Sequence, residues 1–426
     1  MTFNEEVSDV HYFHGALPDD DADKMLVNEG DFLIQCRPSQ DGRLILAVRK
    51  KEVFRFHLDR IKNNAVRLMN KQFPTIKDAV AHFQKNQLDL NGDGVVLRRP
   101  VPKSKWSITH RDVRMRYKIG SGAYGTVYQG YLTIRDKGQT RKIKVATKRL
   151  DSVGKDEQGL IEMMKEARVM QMYEHVNIVK FYGFVIDRTP YLLVMELCQD
   201  GSVEDLLRKK GSAVSVARRV DLATQAARGM EYLHMKRCIH RDIATRNCLL
   251  SGDTLKLADF GMCRATSIYK VDLSKPQNVR WLAPEVWRTG ETKFCTDVYA
   301  FGIMIWELFV CPYRSPYSSW KAITVKEQVV NGYRMSTPDL MPDSMATIMK
   351  QAWAHNPNTR PTAGELRQML EDVNKDYNSS MDASANSEDT KEANLTLRTA
   401  NSVENSANCA TARTPARTPP RSARRG

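Results

Sequence analysis

A chain of 426 residues exceeds one ordinary domain, so two or more folded units are expected. Its 42% apolar and 27% charged residues suit soluble globular protein with ample chain to bury a core. The net charge of +15 points to acidic partners such as anionic lipid surfaces or acidic peptides, and no recognition motif accompanies it, so nucleic acid is not an expected partner.

In chain order the texture changes twice. The polar, acidic N-terminus has no apolar h-region, and Thr2 follows Met1, so neither secretion nor N-myristoylation is expected. Residues 22–28 and 75–84 read as helices flanking short apolar or alternating runs at 31–35, 43–48 and 53–58, which read as strands. A Pro-rich stretch at 100–105 marks a boundary. Residues 114–373 then form a long segment, β-rich first and helical afterwards. Its most apolar run, 298–311, is broken by Glu307 and too short to span a bilayer; it reads as a buried helix. The eight cysteines are scattered without a CxxC pair, and Cys248 and Cys263 fall within a motif-rich stretch, so reduced thiols in a cytoplasmic protein are expected. From Asn378 the chain turns to Asn, Ser, Ala and Thr and cannot bury enough surface to offset its ordering entropy, so disorder is expected. Its basic end, from Arg413 to Arg425, has three readings: contact with an anionic membrane, proline-directed phosphorylation at Thr414 and Thr418, or plain solvation, the last being favoured.

The long segment carries the chemistry. Gly120-Ser121-Gly122-Ala123-Tyr124-Gly125-Thr126-Val127 lies between two β-like runs, and glycines there let backbone approach phosphates that a Cβ would obstruct. Lys148 ends the strand-like Val145-Ala146-Thr147-Lys148 and is placed to reach the α- and β-phosphates of a nucleotide. Glu166, in a helical run at 160–172, is the natural anion to hold it. In His240-Arg241-Asp242-Ile243-Ala244-Thr245-Arg246-Asn247, Asp242 is the candidate base for a substrate hydroxyl. Asn247, with Asp259 of Asp259-Phe260-Gly261, supplies oxygen ligands suited to Mg2+. His240 reads as a packed structural residue. Glu285 of Ala283-Pro284-Glu285 requires a buried cation, for which Arg360 is the candidate, and Asp297 is expected to anchor the catalytic loop through backbone N–H groups.

These motifs resemble a complete protein kinase domain over residues 113–375. Ala244 and Arg246 resemble the tyrosine-kinase form AxRN of the catalytic loop, where serine/threonine kinases usually carry lysine at the position of Ala244. Val279-Arg280-Trp281-Leu282-Ala283-Pro284-Glu285 resembles the tyrosine-kinase substrate platform, with Asn278 where a proline is usual. The resemblance implies ATP and Mg2+ as cofactors, tyrosine-containing protein substrates and catalytic roles for Asp242, Lys148, Glu166 and Arg246. It implies an adenine sandwich of Ile119, Val127, Ala146 and Leu249 with Met195 behind it, and autophosphorylation at Tyr269, whose phosphate would pair with Arg241 and Arg264. An adaptor that binds nucleotide without chemistry typically lacks Lys148, Asp242 or Asp259; all three are present.

Upstream, His11-Tyr12-Phe13-His14-Gly15, Gly30-Asp31-Phe32-Leu33-Ile34 and Phe73-Pro74-Thr75-Ile76 resemble a Src-homology-2 (SH2) domain over 11–102, and Trp106-Ser107-Ile108 leads into the kinase. The whole resembles the Fes/Fer family of non-receptor tyrosine kinases acting in intracellular signalling. Members carry longer N-terminal membrane-binding and coiled-coil regions, which this sequence lacks, so a short relative is expected. The implied class is α+β: a two-lobed kinase (113–375) after a small antiparallel-sheet SH2 domain (11–102), a linker (103–112), and a disordered basic tail (376–426). Such SH2 domains grip phosphotyrosine with a bidentate arginine, but that arginine's place holds Gln35 and a second cation's place holds Asp19. Two readings stand: a substitute grip from Arg37 and Arg55 for phosphotyrosine proteins, or, favoured, a scaffold docked on the small lobe that supports the helix of Glu166. A cytoplasmic location follows, with the plasma membrane as the place of any peripheral contact.

Overall fold

The computed structural model describes residues 7–37, 43–61, 65–122, 125–136, 138–150, 157–377 and 379. Met1–Leu370 form one compact unit and Glu371–Gly426 a second. In the second, residues 371–377 are helical, so the helix extends past the expected start of the tail at 376; Thr414, Thr418 and the basic end lie outside the described residues.

The first unit opens with α1 (Asp19–Met25), which starts directly after Pro18 and carries Asp19, Asp20 and Asp21 in its first turn. Carboxylates there meet the positive end of the helix dipole. The helix begins three residues earlier than the run at 22–28 suggested, and the acidic run is its first turn. A six-stranded sheet follows, in the order β5-β4-β3-β2-β1-β6. Its strands are β1 (Asp31–Cys36), β2 (Leu44–Arg49), β3 (Val53–Arg60), β4 (Val66–Leu68), β5 (Lys71–Phe73) and β6 (Arg99–Pro100). β1 is buried along its whole length, which is why it shows no clean polar alternation. α2 (Ile76–Lys85) is capped by the Thr75 hydroxyl, which accepts from Asp78 N at 3.1 Å, and it buries the stripe Ile76, Ala79, Val80 and Phe83.

The chain then adds β7 (Ser107–Ile108) to a second six-stranded sheet, ordered β7-β11-β12-β10-β9-β8. The others are β8 (Val113–Gly122), β9 (Gly125–Asp136), β10 (Gln139–Arg149), β11 (Phe181–Val185) and β12 (Leu192–Glu196). Leu132, Val145, Val185, Leu192 and Val194 form its core. Helix α3 (Glu157–Met170) lies between β10 and β11 in sequence. The N-terminal domain seats directly against this lobe. Ala16 N donates to Ile186 O at 2.7 Å, and Gly15 is required there because a Cβ would stand 2.2 Å from the same oxygen. The Asp21 carboxylate on α1 also pairs with Arg168 on α3.

The remaining lobe is mostly helical: α4 (Val203–Lys210), α5 (Val216–Met235), α6 (Pro284–Thr289), α7 (Phe294–Phe309), α8 (Ala322–Val330) and α9 (Asp343–Ala352). Two small antiparallel sheets of two strands each interrupt them, β13 (Cys248–Ser251) with β14 (Thr254–Leu257), and β15 (Ile268–Lys270) with β16 (Glu291–Lys293). α7 is buried from Thr296 to Phe309, as its apolar run foretold. Among the described residues no helix is long and apolar enough to cross a membrane.

Candidate active site

The glycine-rich stretch is the turn between β8 and β9, where Gly122 faces Gly125 across the ladder. Ile119, Gly120, Ser121 and Gly122 lie on β8, and Gly125, Thr126 and Val127 on β9; Ala123 and Tyr124 lie outside the described residues. Gly125 has φ +138° and its Cβ would stand 2.1 Å from Arg149 O, so only glycine lets the loop turn over the neighbouring strand. Ala146 on β10 is the cross-strand partner of Met195 on β12, which brings two of the adenine candidates together. Ile119 is half exposed, and Leu249 lies on β13 in the other lobe, half-buried.

Lys148 points from β10 to α3. Its Nζ donates to Glu166 Oε1 at 2.9 Å and Oε2 at 2.8 Å, and lies 3.9 Å from Asp259 Oδ1. Burial pushes the Glu166 carboxyl up from the usual glutamate range, while the Lys148 charge and hydrogen bonds pull it down. Asp259 has φ +60°, the left-handed conformation, and its side chain accepts from Gly261 N at 3.4 Å. The next residue, Phe260, is buried against Tyr173 and His240. The turn therefore leaves the carboxylate half exposed and the aromatic ring inside.

The catalytic loop is held from below. Asp297, in the first turn of α7, accepts from His240 N at 2.7 Å and from Arg241 N at 2.8 Å. His240 is fully buried, and its Nδ1 accepts from Asp242 N at 3.3 Å. On the Asp242 carboxylate, Oδ1 accepts from Arg246 Nη2 and from Asn278 Nδ2 at 2.7 Å; Oδ2 accepts from Asn247 Nδ2 at 2.7 Å. The same Asn247 nitrogen also donates to Asp242 O at 2.8 Å, so its carbonyl oxygen is the atom left for a hard cation. The Arg246 guanidinium in turn stacks over Trp281 at 4.0 Å.

Tyr269, on β15 opposite Thr292, has Arg241 and Arg264 over its ring at 4.5 Å and 4.9 Å. The Arg264 hydrogen bond, aided by the charges of both arginines, holds the phenol below the usual tyrosine range. A cavity of about 830 Å3 joins Gly125, Lys148 and Glu166 to Arg241, Arg264 and Tyr269. Glu285 and Arg360 form a bidentate pair at 2.7 and 2.8 Å.

Three features escaped sequence reasoning. Glu307 is fully buried and accepts from Thr245 N (3.2 Å), Thr245 Oγ1 (2.9 Å), Trp281 Nε1 (3.0 Å) and Tyr313 OH (2.8 Å). It thus ties the catalytic loop to the platform that carries Trp281. Its signal was present: an acid inside an apolar run must find donors. Asn278 shows in the sequence as a substitution, whereas its reach to Asp242 is visible only in the fold.

The third concerns the N-terminal domain. Arg37 and Arg55, the substitute grip of the less favoured reading, both turn to carboxylates of α1. Asp19 accepts from Gln35 Nε2, lies 3.0 Å from Arg37 Nη2 and 3.4 Å from Arg55 Nε, and Arg55 Nη2 donates to Asp23. The cavity beside Gln35 is small, about 10 Å3, and Glu157 and Leu160 of α3 line it along with Asp19 and Arg37.

Residues 113–370 match the family described as protein tyrosine and serine/threonine kinase, and residues 12–83 match the SH2 domain. Tyrosine-protein kinase Fer of Rattus norvegicus is 34% identical over 372 residues, covering 85% of this chain and 44% of that protein. Fer-related kinase 1 of Caenorhabditis elegans is 32% identical over 376 residues, covering 86% of this chain and 94% of its own length. The transforming protein Fps of avian sarcoma virus (strain PRCII), a tyrosine-protein kinase, is 34% identical over 370 residues, covering 85% and 68%. This chain therefore spans less than half of Fer and nearly all of the nematode relative. With the kinase match over most of its length and an SH2 match ahead of it, the chain belongs to the protein tyrosine and serine/threonine kinase family, in its SH2-bearing Fer/Fps group.

Proposed function

We propose that the chain is a non-receptor protein tyrosine kinase that transfers the γ-phosphoryl group of ATP to tyrosine hydroxyls of protein substrates in the cytoplasm. The observation that carries this reading is the hydrogen-bonded Asp242 carboxylate with a closed Lys148–Glu166 pair in the same fold. In the transfer, the phenolic oxygen bonds to the γ-phosphorus, the bond to the β-phosphate bridging oxygen breaks, and the phenolic proton passes to Asp242. Lys148, held by Glu166, orients and neutralises the α- and β-phosphates. Arg246, steadied by Trp281, keeps the base carboxylate in place. Asn247 and Asp259 would hold Mg2+, which when bound neutralises charge on the phosphate oxygens. The domain boundaries that go with this reading are 11–102, 113–375 and a tail from 376.

A labelled-ATP assay on the purified chain tests it directly. Lys148→Met should abolish phosphotransfer without unfolding, and mapping of the wild-type protein should recover phosphate on Tyr269. Near-normal transfer by Lys148→Met, or phosphate confined to serine and threonine, would overturn the assignment.

For the SH2 domain the favoured role is an intramolecular brace, supported by the Asp21–Arg168 pair and the backbone bond from Ala16 to Ile186. A phosphate dianion entering beside Gln35 would have to displace two carboxylates of its own sign. Phosphotyrosine peptides should therefore bind at least about a hundredfold more weakly than to the double variant Asp19→Arg, Gln35→Arg, which supplies two charged donors. A fluorescence titration checks this. Saturable wild-type binding that is lost in Arg37→Ala or Arg55→Ala would restore the phosphotyrosine-reading role.

A further inference from the structure

Of the donors on the Asp242 carboxylate, Asn278 differs from the other two. Arg246 is pinned by the Trp281 ring, and Asn247 is buried and holds the Asp242 backbone as well. Asn278 comes from the activation segment, is exposed, and lies in irregular backbone just before the turn that carries Arg280 and Trp281. A carboxylate oxygen offers two lone-pair sites. With Arg246 and Asn278 both on Oδ1, that oxygen, the one that meets the exposed activation segment, has no site left for an incoming hydroxyl; Oδ2 keeps one beside the buried Asn247. The proline usual at this place in the resembled platform has no side-chain donor, so this occupancy belongs to this chain.

We propose that Asn278 is a placeholder for the acceptor: its amide N–H occupies the position on Asp242 Oδ1 that a substrate tyrosine hydroxyl takes, and a hydroxyl binding at this oxygen must displace it. This rests on the kinase reading above and deepens it by naming a residue that sets acceptor affinity. The exchange trades one charge-assisted hydrogen bond for another. The hydroxyl therefore gains little in the ground state, and tyrosine is distinguished from phenylalanine weakly at the binding step. Asn278 acts through Asp242 and is a positioning residue, not a catalytic one.

The test uses the full chain and two peptides with the sequence of residues 264–275, one with tyrosine at the place of Tyr269 and one with phenylalanine there. Equilibrium binding of each is measured to wild type, to Asn278→Ala and to Asn278→Pro, the last carrying the residue usual in the resembled platform. In both variants the preference for the tyrosine peptide over the phenylalanine peptide should rise by about tenfold, the value of one freed hydrogen bond to a charged group. The steady-state KM for the tyrosine peptide should fall in parallel. A preference that stays the same, or drops, in both variants overturns the proposal, since the amide then either ignores the hydroxyl or helps to seat it. Failure of the wild-type chain to phosphorylate any tyrosine would instead overturn the kinase reading, and the binding ratio would still report on the placeholder.

Discussion

Asp242→Asn should lower kcat by about 10²- to 10⁴-fold, the range a positioned general base contributes, while ATP affinity stays within about twofold of wild type. The substitution keeps the shape of the side chain but removes the proton acceptor. It also disturbs the loop electrostatically. The carboxylate offers two oxygens to donors from Arg246, Asn278 and Asn247; an amide offers one oxygen and turns an NH2 group toward at least one of them. The loss should therefore fall at the low-activity end of the range rather than the mild end. Steady-state kinetics together with a nucleotide titration separate the two effects. A fall of less than tenfold would remove Asp242 from the proton-accepting role. A parallel loss of ATP binding would mean that the loop had collapsed, and the anchors from Asp297 to His240 and Arg241 N–H groups make that unexpected, since they do not involve the mutated atoms.

Much of the candidate site was legible because its parts are short strings in which chemistry and backbone shape coincide. A glycine turn over phosphates, an acid and an amide on one loop, and an acid ahead of a glycine each announce themselves without tertiary information. The pairs Lys148–Glu166 and Glu285–Arg360 were legible for a different reason. The first is a phosphate-reaching lysine that needs an anion to hold it, and the second an interior carboxylate that needs a cation. Contacts that escaped notice join elements far apart in sequence through side chains that look ordinary. Asn278 reads as a loop residue until the activation segment folds across Asp242. The acidic turn of α1 shows its partners only once the sheet brings Gln35, Arg37 and Arg55 beside it. α1 begins three residues before 22–28 does, since its first turn is three aspartates that meet the helix dipole and carry no apolar periodicity.

Arg360→Ala should destabilise the catalytic unit by about 3–5 kcal/mol, the usual cost of removing one partner from a buried ion pair. The Arg360 side chain is fully buried and its Glu285 partner is 12% exposed, so water screens the pair little. The guanidinium also donates to Ala354 O and to Cys295 O, each at 2.9 Å, so truncation orphans two carbonyls as well as a carboxylate. For a unit of this size, thermal unfolding should shift down by on the order of 10 °C. The double variant Glu285→Gln, Arg360→Met is the sharper half of the test, because removing both charges from a buried pair costs far less than removing one. It should recover most of the lost stability. It should not recover full activity, since Glu285 sits in the first turn of α6, directly after the platform that presents the acceptor, and a neutral pair holds that turn less firmly. Equal destabilisation by the single and double variants would show that packing volume, rather than the unpaired carboxylate, sets the cost at this position.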